Sequence, residues 1–593
     1  MQNRVLLSAV NAKFIHSGPA VRYLKKYCDT QIEGIDIAEF SINDNINSIL
    51  KRLYNSNAGI YGFSCYIWNI SLVLSLCSSL KKAKPEAIII LGGPEVSYDS
   101  ADILSSNSYI DYIVIGEGEE TLRELLCSLI SGKGGIFNIN GIAFRTDEEI
   151  IVNPPRAYIE DLDGIPFPYD SFDDFENKIV YYETSRGCPF NCQYCLSSTI
   201  HGVRYLSMDR VKKDIKTFVN AGIRQVKLVD RTFNCDINRS VLIMEYIIGL
   251  NSATNFHFEI AADLINERFL RTVEKAPAGM FQFEIGVQST NPGTLSEIKR
   301  VMDFDKVRLN VIKLLGFKNT HIHLDLIAGL PYEDTESFEK SFNDVYFLSA
   351  DMLQLGFLKL LKGSGIREKR SEYGMEHHDF PPYEVIKTSW MSYKDILMLK
   401  DMEHVLELYW NSGKFRNALS FLLPAVSASP FNFYRILSDY WNSKEYYNSS
   451  KSINELFNIL HHFAADLYAD RLDSAQLSLL NEYLKLDFLL YGRSGSMPDV
   501  INRFDHSSVK TKISEYMKSR LTDMEGFESF RNMPMRELLK HVGYEVFTRD
   551  VFGDVPEARE MVMFYILQPI PNCKNPFYTV VPLEEINEIQ IIH

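Results

Sequence analysis

The chain alternates short apolar runs with amphipathic stretches twice over, and that rhythm leaves few folds open. In residues 1–135 the runs read VLLSAV, IEGIDI, AGIYGFS, AIIILGG and YIVIGEG, with stretches such as INDNINSILKRLYN between them. Strands that alternate with helices build a parallel sheet covered on both faces. The expectation is a flavodoxin-like, Rossmann-type doubly wound domain. Each run ends in small or polar residues, which puts Asn11, Ser64, Gly92, Gly93, Gly116 and Glu117 on the carboxyl edge of the sheet. Ligands of such sheets settle at that edge.

Residues 136–180 break the rhythm with a hairpin pattern, GIAFRTDEEIIVN, and a Pro-rich connector, PPRAYIEDLDGIPFPYDSF. Proline disfavours helix and sheet interiors, so a domain boundary is placed here. Over 181–365 the alternation returns in six units: IVYYETS, QVKLVD, FHFEIAA, FQFEIGVQS, HIHLDLIAG and LQLGFLKLL. They predict a partial (βα)6 barrel of TIM type. In FQFEIGVQS, Phe281, Phe283, Ile285 and Val287 share one face, and Gln282, Glu284, Gly286 and Gln288 the other. FHFEIAAD and HIHLDLI repeat the pattern, with His257, Glu259 and Asp263, then His321, His323 and Asp325, on the polar face. The apolar face must meet the surrounding helices. The polar face therefore points into the lumen, which suits an open barrel around a polar ligand better than a closed barrel packed with branched side chains. Residues 366–593 read as a mostly helical, aromatic-rich domain, with an irregular or short-strand tail from Pro569.

With 62 Lys and Arg against 77 Asp and Glu, the net charge of −15 argues against a broad nucleic-acid surface. No run approaches the roughly 18 apolar residues of a spanning helix, and the N-terminus lacks a signal-peptide pattern. A cytoplasmic protein with no membrane association is expected. Nine cysteines in so long a chain do not make a disulfide scaffold. Six are scattered, but Cys188, Cys192 and Cys195 fall within eight residues, directly after a strand ending at Gly187. Thiolates are the usual ligands of iron–sulfur clusters, which normally take four. Three leave one iron open, the arrangement that separates a catalytic site from a closed structural one. Zinc is the competing occupant, but a second ligand pair with convincing spacing is missing from His201 or His377-His378.

The spacing C-x3-C-x2-C, with Tyr194 before the last cysteine, resembles the radical S-adenosylmethionine (radical SAM) superfamily. Glu284 to Ser289 and Asp325 to Pro331 resemble that family's fourth- and fifth-strand segments. The resemblance implies a 4Fe–4S cluster on Cys188, Cys192 and Cys195 whose open iron chelates S-adenosylmethionine. One electron then cleaves the sulfonium to a 5′-deoxyadenosyl radical, which attacks a substrate carbon. It also implies Tyr194, Glu259, Glu284, Gln288, Ser289 and Asp325 as S-adenosylmethionine contacts. The family's GGE-type segment is absent; Val229-Asp230-Arg231-Thr232-Phe233-Asn234 stands there, followed by Cys235, a candidate hydrogen or proton donor.

The first domain resembles the cobalamin-binding domain of one branch of that superfamily, on Ser64-Cys65-Tyr66, Gly92-Gly93 and Gly116-Glu117-Gly118-Glu119. By this resemblance Asn11, Ser64, Gly92, Gly93, Gly116 and Glu117 hold cobalamin. The D-x-H-x-x-G segment that supplies an axial histidine is missing, and His16 has the wrong spacing to replace it. The implied reaction is modification of an unactivated carbon, chiefly methyl transfer from cobalamin, with cofactors carrying the chemistry. A cobalamin-associated radical cyclase or rearrangement enzyme is an alternative, and a non-catalytic cobalamin or iron–sulfur sensor is another. The implied partners are a small-molecule or peptide substrate and an electron donor such as flavodoxin or ferredoxin.

Overall fold

The structure, a computed structural model, describes residues 4–132, 135–200, 202–427, 429–491, 496–553, 556–567 and 577–588. His201 and Cys573 lie outside them. The chain falls into two compact units, Met1–Ser341 with Leu355–Ile396, and Phe342–Gln354 with Leu397–His593. Among the described residues no helix is long and apolar enough to cross a membrane.

The first unit opens with five parallel strands, β1 (Val5–Asn11), β2 (Ile35–Ser41), β3 (Ile60–Ser64), β4 (Ile88–Gly92) and β5 (Tyr112–Val114). Their spatial order, β2-β1-β3-β4-β5, is that of a flavodoxin-like sheet. The hairpin set aside as linker in the sequence belongs to this sheet. Its strands β6 (Ile142–Arg145) and β7 (Ile150–Val152) add antiparallel to β5, because Ile142, Ala143 and Phe144 are buried with the core. Two apolar clusters lie on opposite faces of the sheet. One joins Leu6, Phe63 and Leu91 to Leu53 and Leu76; the other joins Val5, Leu7 and Ile90 to Val21 and Leu125. The same alternation that sends Leu6 to one face and Leu7 to the other sets both clusters.

After the connector, β8 (Val180–Tyr182) starts the barrel. A short antiparallel pair follows, β9 (Ser185–Cys188) and β10 (Gly202–Tyr205). Then come β11 (Gln225–Leu228), β12 (Asn255–Ile260), β13 (Phe281–Gln288), β14 (Thr320–Ala328) and β15 (Met352–Phe357). The order β15-β14-β13-β12-β11-β8 makes an open six-stranded sheet. The expected faces hold: Phe256, Phe258, Phe281 and Phe283 are fully buried on the outer side, and β13 alternates buried and half-buried along its whole length. Gly187 (φ 97) lets β9 pass so close to Gly202 that a Cβ would strike its carbonyl oxygen.

Residues 355–396 group with this first unit rather than with the helical region assigned from 366 onward. In the second unit the helices Arg416–Val426, Pro430–Ser443, Ile453–Leu467 and Ser474–Tyr491 bear out a largely helical reading. The expectation missed a three-stranded antiparallel sheet, Val542–Phe547, Met561–Ile566 and Tyr578–Pro582. These segments are rich in valine and aromatic residues, which favour strands. Of the tail from Pro569, residues 569–576 lie outside the described residues, and Tyr578–Pro582 is the third strand.

Candidate cluster and cobalamin cavities

Cys188 closes β9, Cys192 is buried, and Cys195 opens a short helical turn, Leu196–Thr199, in which its sulfur accepts from the Ser197 amide at 3.4 Å. All three line one cavity of about 220 Å³ together with Tyr194, Glu259, Glu284, Gln288 and Asp325. The inward half of the alternation thus faces the thiols. Among the described residues no group of three or more His, Cys, Asp or Glu side chains is gathered tightly enough for a single metal ion; the thiols stand around a shared space.

Three further side chains shape this cavity. Thr232 lies 3.7 Å from the Cys188 sulfur. Arg300 places Nη1 3.3 Å from the Tyr194 hydroxyl and 3.9 Å from the Cys192 sulfur, so a fixed cation stands beside a thiol that must ionise to bind iron. Burial pushes the Cys188 thiol up, against hydrogen bonds from the Phe190 amide and Thr232. Arg231 faces the thiols from the loop after β11.

Below the thiols the carboxylates divide. Glu284 is engaged: Lys227 Nζ donates at 2.9 Å and His257 Nε2 lies at 3.0 Å. Burial opposes its charge, but the His257 hydrogen bond and the Lys227 ammonium hold the Glu284 carboxyl down to about 2. Lys227 also stands 3.6 Å from Glu259. Asp325 differs: its Oδ1 is buried without a hydrogen-bond partner, as is Gln288 Oε1. Burial, then the charges of Glu284 and Glu259, push the Asp325 carboxyl well above the usual range. A β-bulge between Gly286 and Gln288, with Gln288 at φ 73, turns that side chain toward the cavity. Two buried acceptors without donors, in one cavity with three thiols, fit a ligand that brings an ammonium group.

The state of Glu284 makes stability depend on acid. A carboxyl held near 2 against an ordinary 4.5 contributes about 3 kcal/mol above pH 4.5, lost as pH falls toward 2. Glu284→Gln should therefore be less stable than the parent at pH 6 in urea unfolding, with the gap reduced to about half at pH 3 and closing only toward pH 2. An unchanged gap across that range would show that Glu284 is not held by Lys227 and His257.

A second cavity, of about 380 Å³, opens at the carboxyl edge of the first sheet and is lined by Gly62, Ser64, Gly92, Gly93, Gly116 and Glu117, among others. Here small side chains leave room for a ligand. Gly93 (φ 110) is required on its own account, since a Cβ there would lie 2.6 Å from the Cys65 carbonyl oxygen. Glu117 lines the cavity, but Arg204 holds its carboxylate at 2.6 Å and the Ile159 amide at 3.0 Å. Burial would raise the Glu117 carboxyl, yet these bonds hold it below the usual range. It therefore ties the cavity rim to the barrel hairpin.

Three assigned residues fall elsewhere. Asn11 is not at the cavity: its amide donates to the His16 carbonyl at 3.1 Å and to Glu39 at 3.0 Å, which shapes the loop after β1. Ser289 is fully buried, donating to Glu333 at 2.6 Å. One residue past Gln288, it has the outward parity of β13. Cys235 lies beside the Tyr205 hydroxyl at 3.3 Å and does not line the thiol cavity; the turn Phe233–Cys235 carries it off the mouth. His16 meets the Tyr181 hydroxyl at 2.6 Å and is likewise outside the second cavity. Lys227 holds a carboxylate of the thiol cavity, and Arg231 and Arg300 line it, without belonging to any motif. Lys227 was visible in the alternation of QVKLVD; the two arginines sit in loops that have no period.

Family models agree with this layout. A B12 binding domain matches residues 6–126, the radical SAM superfamily residues 182–345, and a protein family of unknown function, DUF4080, residues 371–564. The chain is 25% identical over 296 residues to the cobalamin-dependent radical SAM methyltransferase TokK of Streptomyces tokunonensis, covering 47% of this chain and 43% of that one. It is 31% identical over 248 residues to the anaerobic magnesium-protoporphyrin IX monomethyl ester cyclase of Synechocystis sp., covering 39% and 47%. The match thus spans less than half the length of either relative. The cobalamin-dependent S-adenosylmethionine radical enzyme OxsB, solved with aqua-cobalamin, shares the fold with a TM-score of 0.54 at 16% identity, over 82% of this chain and 79% of OxsB.

Proposed function

We propose that this chain, a member of the radical SAM superfamily with a B12-binding domain ahead of its barrel, cleaves S-adenosylmethionine reductively and methylates an unactivated carbon. The observation that carries this reading is that the two cavities are neighbours, with Arg231 lining both. A substrate carbon between them is within reach of both cofactors without leaving the protein, which is the positioning that such chemistry requires.

Cys188, Cys192 and Cys195 would hold the 4Fe–4S cluster, and Gly62, Ser64, Gly92, Gly93 and Gly116 the cobalamin. When bound, the cluster supplies the electron for sulfonium cleavage and the cobalamin the methyl group. Tyr194, Glu259, Gln288 and Asp325 would receive S-adenosylmethionine, with Asp325 Oδ1 and Gln288 Oε1 as the free acceptors for its ammonium. Glu284 instead orients Lys227 and His257 beneath them. The substrate is a small molecule or a peptide, and a flavodoxin- or ferredoxin-type donor supplies electrons in a cytoplasmic setting.

Two measurements test this. Protein purified with hydroxocobalamin should keep it through gel filtration, with a visible spectrum showing no histidine ligand to cobalt; a colourless protein sinks the methyl-transfer reading. The 31% identity to a cyclase favours a second reading, ring closure or oxidative rearrangement. Methyl transfer forms S-adenosylhomocysteine alongside 5′-deoxyadenosine, whereas rearrangement forms only the latter.

A further inference from the structure

We infer that residues 361–383 act as a strap that sets the spacing between the cobalamin cradle and the cluster loop. The strap grips the cluster loop first. The Ile366 amide donates to the Gln193 carbonyl at 3.0 Å, and Gly365 lies so close to the Gln193 side chain that a Cβ would collide with it. Gln193 stands between Cys192 and Tyr194, and its own amide is anchored on the Ile298 carbonyl at 2.9 Å.

Within four residues the same segment grips the cradle. Lys362 Nζ lies 3.7 Å from Glu95 and 3.4 Å from Asp99, and Glu95 follows Gly92-Gly93-Pro94 directly. The Tyr383 hydroxyl donates to the Glu95 carboxylate, and Arg367 covers the Tyr383 ring at 5.0 Å. Gly363 (φ 80) presses on the face of Tyr98. Tyr98 closes the loop itself: its hydroxyl lies 3.0 Å from Thr199 Oγ1, in the turn opened by Cys195.

Lys362, Tyr98, Gly363 and Tyr383 line neither cavity. They are positioning residues, and a change there moves the two loops without removing a group that touches either cofactor. Glu95 is only 5% exposed, so loss of Lys362 or Tyr383 leaves a buried charge underpaired and releases the cradle side of the strap. Displacements on the order of 1 Å are enough to cost a reaction that requires a substrate to be reached from two sides.

The inference rests on the functional reading only in that both cofactors bind. In holoenzyme with cob(II)alamin and a dithionite-reduced cluster, the cob(II)alamin electron paramagnetic resonance signal should be broadened by the cluster spin. Lys362→Met should measurably change that broadening at unchanged iron and cobalamin content, and Lys362→Arg should restore the parental width. Tyr98→Phe, which removes one hydroxyl from a residue 41% exposed, should shift it in the same sense and decides the matter if Lys362→Met folds poorly. Wild-type broadening in Tyr98→Phe and in folded Lys362→Met, or none in the parent holoenzyme, overturns the strap. Parent protein that retains no cobalamin overturns the functional reading, and the strap with it.

Discussion

Cys192→Ala should form no 5′-deoxyadenosine from S-adenosylmethionine after anaerobic reconstitution, while its unfolding transition stays within about 1 kcal/mol of the parent. Clusters of this class rest on thiolates, and the loop offers three. Removing one leaves two, with Arg300 Nη1, 3.9 Å from the lost sulfur, facing an empty place. The fold does not depend on the thiol, because the loop is also held by the Gln193 amide on Ile298 and by Ile366 on Gln193. Chromatography of the reaction products and circular dichroism check the two halves separately. Product formation by the variant would show that the cluster is not held by this loop.

Asp230→Ala should cost about 3–5 kcal/mol, because it strips the partner from three buried donors at roughly 1–3 kcal/mol each. Asp230 is 1% exposed. It accepts from the Thr184 amide at 2.9 Å, from Thr184 Oγ1 at 2.6 Å and from Ser185 Oγ. Those residues lead into β9, so the damage reaches the strand that ends in Cys188. The expected result is an early urea transition together with low iron after reconstitution. Asp230→Asn keeps an acceptor and should recover part of both. A variant of parental stability would mean that the mouth of the barrel does not depend on this carboxylate.

Much of the site was legible because a strand has a period of two. On β12, β13 and β14 that period separates Phe256, Phe258, Phe281 and Phe283 from Glu259, Glu284, Gln288 and Asp325, and all four polar residues line the thiol cavity. Ser289 failed by the same rule: assigned through the likeness of a segment, it has the outward parity and is buried against Glu333. Asn11 and Glu117 came out differently for another reason: Asn11 lies off the cavity, while Glu117 lines it with its carboxylate already engaged. Their places on the carboxyl edge were read correctly, but Glu39 and Arg204 claim their side chains, and nothing local announces a partner 87 positions away.

Periodicity and the C-x3-C-x2-C spacing are properties of neighbouring residues, so the chain alone showed the parallel strands of the two sheets, the faces of the barrel strands and the three-cysteine loop. Lys227 beneath Glu284, Arg231 on both cavities and Arg300 beside Cys192 depend on where loops and strands far apart in the chain come to lie. So does the contact between Tyr383 and Glu95, which are separated by 288 positions. The free energy of such pairs depends on distance and burial in the folded state. Neither exists before packing, and that is why only the tertiary structure could decide which charges meet, which acceptors stay open, and which residue lines both cavities.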